Sequence, residues 1–126
     1  NNYTVINSYP LPYELFGLND IEKIGNYYYI TSTQNNNGEV IPKIIRVKDL
    51  NNTSDYEDLY DLFNFKATPY FISNFDDKYF ITEIGVKYNS VKSFEVNDDN
   101  IININNIYYF DETIQESIRR RDTYPL

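Results

Sequence analysis

"KYFITEI", Lys78–Ile84, decides how this chain is read. It restates an earlier stretch, "NYYYITS" at residues 26–32, so that Tyr29-Ile30-Thr31 falls on Phe80-Ile81-Thr82. Both are runs of aromatic and β-branched residues, which lose rotamer freedom in helices and pack well on a pleated surface. The same types fill the chain, with Tyr 14, Phe 8, abundant Ile and almost no Ala among 126 residues. The expectation is a mainly β fold. A hydrophobic content of 41 % is enough for a packed core and too high for a disordered chain. The length suits one domain, or part of one assembled from several chains.

Outward from these stretches, residues 21–24 and 27–33 read as strands around the turn pair Gly25-Asn26. "QNNNGE" at 34–39 is a polar loop leading to a strand over 40–47, past Pro42. Residues 70–73, 79–84, 91–96 and 101–110 read as further strands, with turns at 74–77 and at "NDDN", 97–100. Upstream, Pro10 and Pro12 restrict "SYPLPYELFG" to an extended or edge segment. Laid together, Ile21 matches Ile72 and Ile45-Arg46-Val47 matches Lys92-Ser93-Phe94 loosely, while Leu62-Phe63 falls opposite Tyr109-Phe110. Two units result, at about 19–63 and 69–110, each built as strand, turn, strand, loop, strand, turn, strand.

This pattern resembles a β-propeller-type repeat, whose blades run about 45–50 residues. It carries no blade signature such as a Trp-Asp pair, and points to no specific family. The resemblance implies two blade-like antiparallel units, in a single domain spanning 1–126 or a partial propeller. Two blades do not close a ring, because each needs neighbours on both faces. It therefore also implies a homo-oligomer, such as a trimer of paired blades, or a piece of a longer propeller. The alternative is a single β-meander or sandwich, with one or two helices, whose halves share only composition.

Two segments read as helix. In "SDYEDLYDLF", Ser54 and Glu57 have capping-box spacing and Tyr56, Leu59, Tyr60 and Phe63 form one stripe, favouring a helix over 54–62, although the unit matching asks for a strand near its end. In "DETIQESIRRR", Ile114 and Ile118 share a face, with acids first and Arg119 to Arg121 last, which complements the helix dipole. A C-terminal helix is expected there.

With no His, the chain lacks the usual general base and the commonest metal ligand; with no Cys, it lacks thiolates and structural zinc. Its glycines occur singly, so no phosphate-cradling loop is written, and no cofactor or metal site is expected. Asp76-Asp77 and Asp98-Asp99 lack the spacing of a calcium loop and read as turn acids. A net charge of −8 disfavours nucleic acid, and no apolar run approaches the ~20 residues that a membrane helix needs. Asn1 opens the chain and Met is absent, which fits a removed leader or an excised piece; secretion is the expectation adopted.

Carboxylate chemistry survives these exclusions. Glu83 sits on a strand beside Tyr79 and Ile81, where a charge needs a partner or solvent, so it lines a cleft or marks a solvated strand end. Amphipathic rings favour contact surfaces, and Tyr27, Tyr70 and Tyr108 are the candidates, against the alternative that they pack the core. Three functions compete. The first is a non-catalytic binding or assembly module for a protein or glycan partner, which the propeller resemblance implies. The second is a carboxylate-dependent glycan-cleaving domain pairing Glu83 with an acid such as Asp111. The third is a small acidic inhibitor or immunity-type protein, in which "DYEDLYD" would cluster with Asp76 and Asp77.

Overall fold

The computed structural model describes residues 4–11 and 17–111. They form two four-stranded antiparallel sheets, each with its strands in sequential order. The first holds β1 (Leu18–Ile24), β2 (Tyr27–Asn36), β3 (Glu39–Val47) and β4 (Glu57–Asp58). The second holds β5 (Thr68–Phe75), β6 (Lys78–Ile84), β7 (Tyr88–Asn97) and β8 (Asn100–Asp111). The chain is mainly β, and no helix occurs among the described residues.

The hairpins are tighter than the sequence suggested, because their central residues accept a left-handed backbone. Asn37-Gly38 (φ 53 and 85), Asp76-Asp77 (φ 55 and 62) and Asp98-Asp99 (φ 49 and 64) each close a two-residue loop. Such loops match the right-handed twist of the flanking strands, and short polar side chains make positive φ tolerable. Asn74 and Phe75, expected in a turn, therefore belong to β5.

Side chains alternate across each strand, so the pairing register fixes two faces per sheet. In the first sheet Ile21, Ile30 and Ile45 form one cross-strand row, with Tyr29, Thr31, Ile44 and Arg46 on the opposite face. In the second, Ile72, Ile81 and Lys92 form a row, with Tyr79, Glu83 and Phe94 on the same face. The core lies between the sheets, where Ile24, Tyr29 and Ile44 meet Ile72, Ile81 and Phe94, closed by Leu59, Phe63 and Phe65 from the connecting segment. Polar bonds stitch the same seam: Thr31 Oγ1 donates to the Tyr70 carbonyl at 2.6 Å, and the Ile72 amide to Asp20 Oδ2 at 2.8 Å.

The outward faces differ. Ile30, Ile45 and Val47 pack beneath Leu11, Leu50 and Tyr56, and Thr53 Oγ1 holds this cover by donating to the Pro10 carbonyl at 3.1 Å. On the second sheet Phe71, Phe75, Ile84 and Tyr108 stay 57, 75, 44 and 58 % exposed.

The helix expected over 54–62 is absent. The Leu59 amide donates instead to the Ile44 carbonyl at 2.8 Å, which extends the pairing begun by β4, and Asp58 Oδ1 takes the Tyr60 amide at 3.0 Å. Overlapping turns follow, closed from the Phe63 amide to the Leu59 carbonyl at 3.2 Å, the Asn64 amide to the Asp61 carbonyl at 3.0 Å and the Phe65 amide to the Tyr60 carbonyl at 3.4 Å. The stripe of apolar residues serves to drop Leu59 and Phe63 into the core, and the sheet edge outcompetes the local helix signal. The first unit's last strand is thus Glu57–Asp58, and Leu62-Phe63, matched to Tyr109-Phe110, lies in a turn. The expected C-terminal helix lies outside the described residues.

Candidate functional site

Glu83 does not mark a solvated strand end. It is 1 % exposed on the inner face of β6, and both of its carboxylate oxygens are engaged. Oε2 accepts the Lys66 amide in a short bond and the Ala67 amide at 2.5 Å, while Oε1 accepts Ser90 Oγ at 2.6 Å. Lys92 Nζ stands 3.8 Å from Oε1, donates to Asn106 Oδ1 at 2.7 Å and faces the Phe65 ring at 5.4 Å. The carboxylate therefore pins the segment leading into β5 against β6 and β7, and the ammonium offsets its charge. Lys92 was not singled out from sequence. It replaces Ile45 in the matched apolar row, and that mismatch beside an inward Glu was the available signal. Asp111, the acid suggested as a partner for Glu83, ends β8 with its backbone opposite Tyr88.

The hairpin ends hold the other polar cluster, centred on Arg46. Its guanidinium grips Glu57 through Nε at 3.1 Å and NH2 at 3.3 Å, while NH1 donates to the Tyr29 hydroxyl at 3.1 Å and the Asp99 carbonyl at 2.6 Å. One side chain thus links β2, β3 and β4 to the β7–β8 turn. Asn26 adds a second link, with Nδ2 2.8 Å and its amide 3.2 Å from the Asp99 carboxylate. Those two bonds hold the Asp99 carboxyl below its usual value of 3.8. Gly25 makes the approach possible, since its φ is 62 and a Cβ there would sit 2.7 Å from Asp99 Oδ1. Gly25→Ala is expected to loosen this contact and cost about 1–2 kcal/mol from the positive φ alone, read by urea denaturation. An unchanged midpoint would mean that the turn is not held as described.

Two shallow clefts flank this cluster. One of about 360 Å³ is bounded by Ile24, Gly25, Asn26, Tyr79, Val96, Asp98 and Asp99. The other, about 270 Å³, is bounded by Tyr27, Arg46, Lys48, Asp55, Tyr56 and Glu57. In it, Tyr27 is half-buried with the Arg46 guanidinium 4.1 Å above its ring and Lys48 Nζ at 5.3 Å. Tyr70 sits in the seam between the sheets, half-buried, its ring 5.9 Å from Phe71. Tyr108 projects from the outer face of β8, opposite Val91. Glu83 and Tyr108 therefore lie on opposite faces of one sheet, and Tyr27 on the other sheet, so the four candidates do not converge. Among the described residues no group of three or more His, Cys, Asp or Glu could hold a metal ion, and no helix is long and apolar enough to cross a membrane.

Burial raises the Tyr29 hydroxyl above its ordinary 10.0, against the pull of Arg46, and burial raises Tyr60 as well. Burial lowers Lys92 below 10.5, partly offset by Glu83. Above pH 10.0 the unfolded tyrosines ionise first, so the fold loses stability as pH rises; Lys92 acts in the opposite sense, its burial penalty fading between its lowered value and 10.5. With two tyrosines against one lysine, stability is expected to fall on the alkaline side of 10.0, and Tyr29→Phe to flatten that fall. Chemical denaturation at a series of alkaline pH values measures both.

No protein-family model, curated protein or solved structure matches the chain.

Proposed function

We propose that the chain is a non-catalytic binding or assembly module made of two blade-like units, and that it meets a protein partner through the outer face of the β5–β8 sheet. The observation that carries this reading is the way the sheets stack. The unit matching pairs Ile21, Ile30 and Ile45 with Ile72, Ile81 and Lys92, and each trio is also one cross-strand row. The first row points away from the other sheet, and the second points toward it. The back of one unit thus lies on the front of the next, the head-to-tail relation of blades. The back of the second unit, bearing Phe71, Phe75, Ile84 and Tyr108, is next in the stack and open among the described residues. Apolar faces of this kind mark interaction sites. The full use of the Glu83 carboxylate in holding its own backbone also favours a non-catalytic role.

Hydroxyl-radical footprinting in an extract of the native source tests it. Phe71, Phe75 and Tyr108 are expected to react less there than their exposure allows, while Val86, 96 % exposed in the β6–β7 loop, reacts fully. Equal reactivity of all four would remove the support for a contact face.

The inhibitor-type reading keeps one supporting observation. Strand alternation puts the 76–77 and 98–99 turns at one end of the second sheet, and Asn26 and Arg46 tie Asp99 to the end of the first sheet that bears Asp55 and Glu57. Acids from both segments thus gather at one end. Replacing them with Asn would then slow association with a basic partner, and unchanged kinetics would count against it.

A further inference from the structure

We infer that the outer face of the β5–β8 sheet is a two-fold interface with a second copy of this chain. This rests on the reading of that face as a contact surface and names its occupant.

Charge is the first argument. The chain has 11 basic and 19 acidic residues, so two copies carry the same net charge of −8 and meet most readily where few charges lie. The outer face of β5–β8 is such a place. The register lines up Thr82, Val91 and Tyr108 across it, and Phe71 joins them through its amide, which donates to Thr82 Oγ1 at 3.2 Å. Among its described strand positions only Lys78 and Glu95 are charged, and Glu95 already accepts Asn103 Nδ2 at 2.7 Å. Interface centres are depleted of charge and rich in aromatic residues in this way.

Continuity is the second. The matching face of the first sheet, with Tyr29, Thr31 and Ile44, is already covered by a four-stranded sheet within the chain. The back of β5–β8 is the counterpart of a face that a sheet already covers within the chain, although the two-fold contact sets back against back where the internal one sets back against front.

Closure is the third. A ring or filament would seat this back on the front of the next copy, the Ile30–Ile45–Val47 face. That face is occupied by the copy's own Pro10 and Leu11. Among the described residues each copy is left with one open sheet face, the same on both, and identical faces pair only isologously. The result is a closed dimer, in place of the trimeric ring that the propeller resemblance implied.

Light scattering on a size-exclusion column, over a wide concentration range, tests the assembly. The full chain is expected at twice 15.0 kDa. Phe71→Lys and Tyr108→Lys, which place charge on two different strands of the face, should each halve the mass, whereas Val86→Lys off the face should leave it unchanged. Circular dichroism verifies that each variant is folded. A mass of 15.0 kDa at every concentration, a threefold mass, or no response to either face variant overturns the inference. Footprinting then separates the two levels. For a monomeric chain, protection of Phe71 and Tyr108 in the native extract alone leaves the contact-face reading standing with another protein as partner. Protection in the purified monomer means that the chain covers the face itself and overturns the two-fold inference, and protection in neither sinks both readings.

Discussion

Glu83→Ala is expected to lower the unfolding free energy by about 3–5 kcal/mol, because it leaves the Lys92 ammonium buried without its counter-charge. Two amides and a serine hydroxyl lose their acceptor in the same change. Buried donors left unpaired carry their own desolvation cost. Glu83→Gln keeps the volume and isolates the charge, so it should lie between wild type and Glu83→Ala. The double variant Glu83→Gln/Lys92→Met should recover much of the loss, since removing both charges of a buried pair is often close to neutral. Urea denaturation of wild type, the two single variants Glu83→Gln and Lys92→Met, and the double variant completes the cycle. Additive losses would show that the two side chains, 3.8 Å apart in the structure, do not couple. The cycle bears on function too, because a carboxylate tied this firmly to its own backbone is poorly placed to shuttle protons.

Phe94→Ala is the other large effect, at about 3–5 kcal/mol from lost burial and the cavity left behind. Phe94 is 1 % exposed and touches every layer of the core. Its ring lies 6.0 Å from Tyr29 of the first sheet, 5.0 Å from Phe63 of the connecting segment and 5.4 Å from Tyr79 of its own sheet. Native domains are stable by only about 5–15 kcal/mol, so this single change removes a large share. Phe94→Leu should cost less, because it keeps most of the volume. A drop in urea midpoint with an unchanged slope is the expected signature. A small loss would mean that the sheets are held mainly by the polar seam around Thr31, Asp20 and Arg46.

Much of the fold was legible in local pattern. Alternating Tyr, Ile and Phe marked seven of the eight strands among the described residues, because a pleated strand exposes its period directly in the residue order. The Gly25-Asn26 pair and the polar stretches at 34–39, 74–77 and 97–100 marked the hairpins, because such residues favour turns, though their two-residue closure at 37–38, 76–77 and 98–99 was not read. The segment at 54–62 misled for an equally physical reason. Its stripe of Tyr56, Leu59, Tyr60 and Phe63 satisfies a helix locally, while the unpaired edge of β3 offers the Leu59 amide a partner that no local reading can see.

The candidate site was less legible. Glu83 stood out as a charge on an apolar strand face, and that face is where the structure puts it. Its partners come from positions 66, 67, 90 and 92 and depend on strand register, which a one-residue slip would reverse. Arg46 carried no mark at all, since its role as a strut depends on Asp99, 53 positions away, arriving beside it.

By itself, then, the sequence determined the β class, the strand spacing, the neighbourhood of the turns and the absence of imidazole and thiol chemistry, all properties of residue type and short-range order. Only the tertiary structure decided which faces are buried. Tyr29, Ile44, Ile81 and Phe94 became core, while Phe71, Phe75 and Tyr108, aromatic on the same pattern, were left outside. Burial depends on what a second sheet covers, and that is a long-range contact which local chemistry permits without specifying.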